Sequence, residues 1–172
     1  MTAAHVSFRI ADHDDLTALV GLYDGAAHWM RRNGIEQWQP GGKDEEHFGL
    51  RMKEGEVWLA EAGGGRVVGA YELWWDDEPA WGVQPPVAGY VHRLMTDRTA
   101  APAGLGRVML VQAERRIAEA GRELARLDCL TSNARLRRYY EGVGYQVVGE
   151  EPCKADAAGG GSYGVTLLER RL

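Results

Sequence analysis

Thr96-Asp97-Arg98-Thr99-Ala100-Ala101-Pro102-Ala103-Gly104-Leu105-Gly106-Arg107 is the stretch on which the fold turns. A strand ends at Thr96, a loop carries Ala103-Gly104-Leu105-Gly106, and a helix begins. A helix start presents unpaired N–H groups and a partial positive charge, and glycine lets an anion come close to the backbone. Such a turn suits a pyrophosphate. Taken alone, a Gly-x-Gly before a helix serves helix–sheet packing equally well.

Downstream, Gly104 to Ala120 reads as a helix with an apolar stripe through Leu105, Val108, Met109 and Ile117, ended by Gly121. Leu124 to Leu130 is a strand. Asn133 to Gly142 is a second helix, on which Asn133, Arg137 and Tyr140 fall at i, i+4 and i+7 and so share one face. That face is expected to look at the same space as the glycine loop. Tyr139 falls with Leu136 and Val143 and reads as a packing residue. Tyr145 to Gly149 and Tyr163 to Leu168 are the last strands, with an Ala/Gly linker, Ala157 to Gly161, between them.

Upstream, Val6 to Ile10 alternates as a strand. Asp12 offers an N-cap with Asp15 three residues on, and the helix that follows should run to about Arg32 and stop at Asn33-Gly34. Gly34 to Gly42 is a loop, and Lys43 to Lys53 is a polar helix. Glu56 to Ala60 and Arg66 to Trp75 are strands joined by a hairpin turn at Gly63-Gly64-Gly65. Asp76 to Pro86 is a loop and Val87 to Thr96 a long strand. The order β-α-α-β-β-β-α-β-α-β-β predicts one α/β domain, residues 1–172, with a mixed sheet.

Apolar residues at 45% and charged residues at 26% suit a globular protein of 172 residues with one core. A net charge of -5 argues against nucleic acid as a partner, because no surplus of Lys and Arg is available to neutralise phosphates. Two cysteines, Cys129 and Cys153, without a CxxC spacing, predict no disulfide framework and no metal site. Met1 to His5 lacks the pattern of a signal peptide, and no apolar run reaches the ~20 residues of a membrane span. A cytoplasmic protein without membrane contact, monomeric or homodimeric, is expected.

Tyr90-Val91-His92-Arg93-Leu94-Met95-Thr96, then Gly104-Leu105-Gly106, then Asn133 with Tyr140-Glu141 and Gly144-Tyr145, together resemble the GNAT superfamily of N-acetyltransferases. The resemblance implies a mixed, mostly antiparallel central sheet flanked by helices, and acetyl-CoA (coenzyme A) as the cofactor. Leu94, Met95 and Thr96 match the strand whose backbone pairs with the pantetheine arm. Ala101, Pro102, Ala103, Gly104, Leu105, Gly106 and Arg107 match the pyrophosphate loop. Asn133 matches a pantetheine-contacting Asn, and Tyr140 the Tyr placed beside the thioester sulfur. One departure stands out. The family's loop usually opens with Gln or Arg, whereas here Ala101 has no donor side chain and Pro102 no N–H. Arg98 or Arg107 are candidates to compensate, and Arg137 to reach the phosphates.

Acetyl transfer to an amine needs a neutral nucleophile, an oxyanion stabiliser and a route for two protons. A backbone N–H near Met95 is the candidate for polarising the carbonyl, and Tyr140 for protonating the departing thiolate. His92 is a candidate base because histidine titrates in the right range, and Glu72 on the neighbouring strand is another. A water relay is a third option. Trp38, Glu72 and Trp74 are candidates for holding a cationic acceptor, although tryptophans at such positions also serve a core. The expected reaction is direct acetyl transfer to a small-molecule or peptide amine. A CoA-binding sensor without turnover, or an enzyme using a longer acyl donor, are the alternatives.

Overall fold

The computed structural model describes residues 5–155 and 161–172. The expected Ala/Gly linker therefore lies, except for Gly161, outside the described residues, as do the first four residues. The elements are β1 (Ser7–Ile10), α1 (Leu16–Arg32), α2 (Glu45–Glu54), β2 (Glu56–Ala62), β3 (Arg66–Trp74), α3 (Glu78–Trp81), β4 (Ala88–Thr96), α4 (Leu105–Glu119), β5 (Leu124–Leu130), α5 (Ala134–Gly142), β6 (Gln146–Ala155) and β7 (Ser162–Arg171). They form a seven-stranded sheet in the order β1-β2-β3-β4-β5-β7-β6. The pairs β1–β2, β2–β3, β5–β7 and β6–β7 are antiparallel, and β4–β5 is parallel. This is the mixed sheet that the element order predicts, mostly antiparallel and flanked by helices as the resemblance implies.

Contacts within the chain gather into two compact units, Met1–Leu73 with Arg93–Gln112, and Trp74–His92 with Ala113–Leu172. In the first, one face of α1 supplies Leu19, Leu22, Tyr23 and Ala27 to a core with Phe48, Val57, Leu59, Ala70 and Met95. A 3-10 turn, His13–Asp15, leads into α1, and the Asp12 cap expected from the sequence closes the start of that turn. Asp12 accepts the Asp14 N–H, and Asp15 returns the bond by accepting the Asp12 N–H at 2.8 Å. Arg9 of β1 grips the other side of Asp15 with two bonds of 2.7 and 2.8 Å.

In the second unit, β4 and β5 pair only over Ala88–Tyr90 with Leu124–Arg126. Gly89 is required there, because a Cβ would sit 2.4 Å from Ile117 of α4. Arg126 carries its charge into this unit and holds Glu169 at 2.7 Å and the Tyr90 hydroxyl at 3.0 Å.

Three expectations change. Asp76 to Pro86 is not all loop, since α3 forms inside it with Pro79 in its first turn, where a missing N–H costs nothing. The last two strands run longer than their apolar cores, carried by pairing between β6 and β7. Asn133 stands outside α5 as its N-cap and accepts the Leu136 N–H at 3.1 Å, so it does not belong to the helical face of Arg137 and Tyr140.

Candidate active site

The pyrophosphate-like loop lies in the first unit. Asp97 organises its opening by accepting the Thr99 N–H at 3.0 Å and the Thr99 hydroxyl at 2.6 Å. The Asp97 carbonyl takes the N–H of Ala100 at 3.1 Å and of Ala101 at 2.7 Å. Both positions that depart from the family pattern are thus without a free donor: Ala101 has used its N–H inside the loop, and Pro102 has none. Gly104 then turns with φ +79°, with open space where a Cβ would stand. Among the described residues no backbone partner takes the N–H of Ala103, Gly104 or Gly106. These three donors, gathered before and in the first turn of a 15-residue helix, fit a diphosphate.

β4 carries a left-handed residue, Arg93, at φ +47°, between His92 and Leu94. A non-glycine residue is strained there and persists only where its surroundings hold it. Arg93 donates to Glu72 at 2.9 Å, and His47 of α2 meets the other Glu72 oxygen at 3.0 Å. Glu72 is fully buried. The sequence reading of Glu72 as base or amine ligand missed this anchorage, because His47 and Arg93 lie 25 and 21 residues away in sequence. Leu94 and Thr96 are half-buried and the Met95 side chain is buried in the core of this unit. Trp38 stacks on Tyr23 with centroids 5.2 Å apart and packs against the same core. Arg98 lies over the Trp29 ring at 3.6 Å, beside a cleft of about 520 Å³ that α1 lines with Gly21, Gly25 and Arg32.

The second unit holds the other candidates. Tyr140 is buried, and its hydroxyl makes no hydrogen bond among the described residues. Burial, helped by Cys129, Tyr139 and Asp128 nearby, pushes its acidity far down, so the phenol stays protonated. Tyr139 is the exposed member of the pair, against its reading as a packing residue. Arg137 is exposed and 3.6 Å from Glu141. Burial pushes the Cys129 thiol up to about 11, which leaves it inert as a nucleophile.

His92 is buried, stacks on Trp74 at 3.7 Å, and places Nε2 2.8 Å from Asp77 Oδ2. Burial works to raise the Asp77 carboxyl, but the His92 hydrogen bond and the charges of His92 and Lys154 hold it below its ordinary value. Lys154 Nζ in turn lies 2.8 Å from Asp128 Oδ2. Asp77, Asp128 and Lys154 carried no sequence signal, since their meeting depends on strand order and not on spacing.

The model of the acetyltransferase (GNAT) family matches residues 19–145. The chain is 29% identical over 157 residues to the uncharacterized N-acetyltransferase YesJ of Bacillus subtilis, covering 87% of this chain and 83% of that one. A GNAT-family acetyltransferase from Listeria monocytogenes superposes with a TM-score of 0.78 at 26% identity over 99% of this chain and 98% of that one. The fold is also that of yncA from Salmonella typhimurium, solved with its cofactor acetyl-CoA, with a TM-score of 0.67 at 17% identity over 98% and 95% of the two chains.

Proposed function

The chain belongs to the GNAT acetyltransferase family, and from that premise we propose that it is a cytoplasmic N-acetyltransferase. It moves the acetyl group of acetyl-CoA to an amine of a small molecule, amino-acid derivative or peptide by direct attack. One observation carries the chemistry. Tyr140, matched to the family's tyrosine, has a buried ring, a hydroxyl held protonated and no hydrogen-bond partner among the described residues.

Acetyl-CoA, when bound, supplies an acetyl thioester open to attack by the amine. The N–H groups of Ala103, Gly104 and Gly106 would hold its diphosphate with the charge of Arg107, and Arg137 is a further candidate cation for the phosphates. Ala101 and Pro102 shape the loop without donating. The backbone of Leu94 to Thr96 orients the pantetheine arm. The Asn133 amide N–H₂ contributes a donor, since its oxygen is engaged as a cap. The backbone N–H near Met95 polarises the thioester carbonyl. Tyr140 holds a proton at its hydroxyl for the sulfur as the C–S bond breaks.

His92 is the base in this reading. Glu72 has both oxygens engaged by Arg93 and His47, which makes it a positioning residue for the strained turn of β4. Trp74 acts through its stack on His92, and Trp38 through its packing on Tyr23.

Thiol release from acetyl-CoA should depend on added amine, with the N-acetyl product seen by mass spectrometry. Tyr140→Phe should lower kcat by about 10²-fold, the usual worth of a positioned acid. A broad amine panel giving no product would defeat the reading. The Ala101-Pro102 opening favours one second reading, a CoA-binding module without turnover, which tight CoA binding by calorimetry in an inactive protein would support. Comparison of acyl-CoAs of increasing chain length tests whether acetyl is the preferred group.

A further inference from the structure

Four charged or titratable side chains meet in the second unit from distant parts of the sequence: Asp77 ahead of α3, His92 in β4, Asp128 in β5 and Lys154 in β6. Asp77 is 2% exposed, and the Asp77–His92 hydrogen bond and the Asp128–Lys154 ion pair are each 2.8 Å long. Asp77, His92 and Asp128 each bring an atom within 4.8 Å of the others, a spacing that would suit a metal ion. The cation already present is the Lys154 ammonium, which interacts with both carboxylates and with Tyr163 of β7. Two carboxylates against one ammonium leave one negative charge. The Trp74 face, stacked on the His92 ring at 3.7 Å, is placed to stabilise an imidazolium formed there.

The ring nitrogens are thereby distinguished. Asp77 is ionised and only accepts, so Nε2 must carry the hydrogen at 2.8 Å. In the neutral ring the lone pair is then at Nδ1.

We propose that Asp77 is the positioning residue that makes His92 the base, with Nδ1 as the atom that takes the proton from the acceptor ammonium. The N–H bond of the ammonium breaks, a bond to Nδ1 forms, and the amine keeps its electron pair for attack. The imidazolium, held by Asp77 and Trp74, afterwards returns its proton to water. Lys154 keeps Asp77 ionised, and Asp128 balances Lys154. This rests on the N-acetyltransferase reading above.

Two measurements test it. In apo protein labelled with ¹⁵N at histidine, with His92→Gln to assign the signal, neutral His92 should be the Nε2–H tautomer. In kinetics, Asp77→Asn should lower kcat/KM for the amine 10- to 100-fold and move the acid limb of its pH profile down. Removal of the carboxylate charge favours the neutral imidazole, which fixes that sign. KM for acetyl-CoA should not change, and Asp77→Glu should restore part of the loss. An Nδ1–H tautomer in the wild type, or an unmoved acid limb in Asp77→Asn, overturns the proposal. A wild type that acetylates no amine overturns the functional reading and the base assignment with it. The tautomer then still reports whether the Asp77–His92 pair is built as described.

Discussion

At the scale of single residues, Glu72 and Tyr140 show how far residue type alone carries an argument. Tyr140 was legible because its place in a short helix and its match to the family pattern are local properties. Glu72 was only half legible. A carboxylate on a strand next to the candidate histidine strand was visible, but its complete burial between His47 and Arg93 was not. The structure makes a distinct prediction for it. Glu72→Gln should destabilise the fold by about 2–3 kcal/mol in urea titrations, because it removes the buried charge that both Arg93 and His47 bond. The figure lies below the ~3–5 kcal/mol of a fully buried pair because Arg93 and His47 keep side-chain exposures of 16% and 17%. Loss of activity in this variant should follow loss of folded protein, with no shift in the pH profile. A shifted profile with unchanged stability would instead assign Glu72 the role of base.

At the scale of elements, α1 was readable from both ends, because capping is written in residues one turn apart. Asp12 and Asp15 close, as a reciprocal pair, the 3-10 turn that leads into it, and Asn33 ends the helix. Arg9 was not part of that reading, and it tunes the cap. Its hydrogen bonds, against the opposing effect of burial, hold the Asp15 carboxyl below its ordinary value. A depressed carboxyl stabilises the fold above the unfolded value, near pH 4, and the contribution is lost as pH falls through the lower folded value. Asp15→Asn should therefore cost about 1–2 kcal/mol at pH 7, and the gap to wild type should close below about pH 4 in thermal unfolding. A gap that persisted at pH 2 would assign the effect to packing. α5 was less legible. The Asn133, Arg137, Tyr140 face required Asn133 to be inside the helix. A side chain that caps a helix leaves its face, because its backbone is not helical there.

For the whole molecule, the family match and the geometry of the loop lead to a prediction about binding. A ligand that binds only the folded chain stabilises it by RT ln(1 + [L]/Kd), about 2.7 kcal/mol at a hundredfold excess over Kd. For a chain of this length that is roughly 5–10 °C in the thermal midpoint. CoA at saturating concentration should give such a shift, and Gly104→Val should remove most of it by placing a branched side chain at a left-handed position in the loop. A CoA-independent midpoint would defeat both the enzyme and the sensor readings. The sequence by itself determined the order of elements, the Gly104-Leu105-Gly106 turn and the place of Tyr140, since these depend on periodicity, capping and glycine spacing over a few residues. Only the tertiary structure decided that Ala101 uses its N–H inside the loop, that Glu72 is anchored by Arg93 and His47, and that Asp77, Asp128 and Lys154 surround His92. The reason is physical. Buried charges must find partners, and the partners come from strands and loops whose adjacency is set by sheet order and register, which no local pattern in the chain encodes.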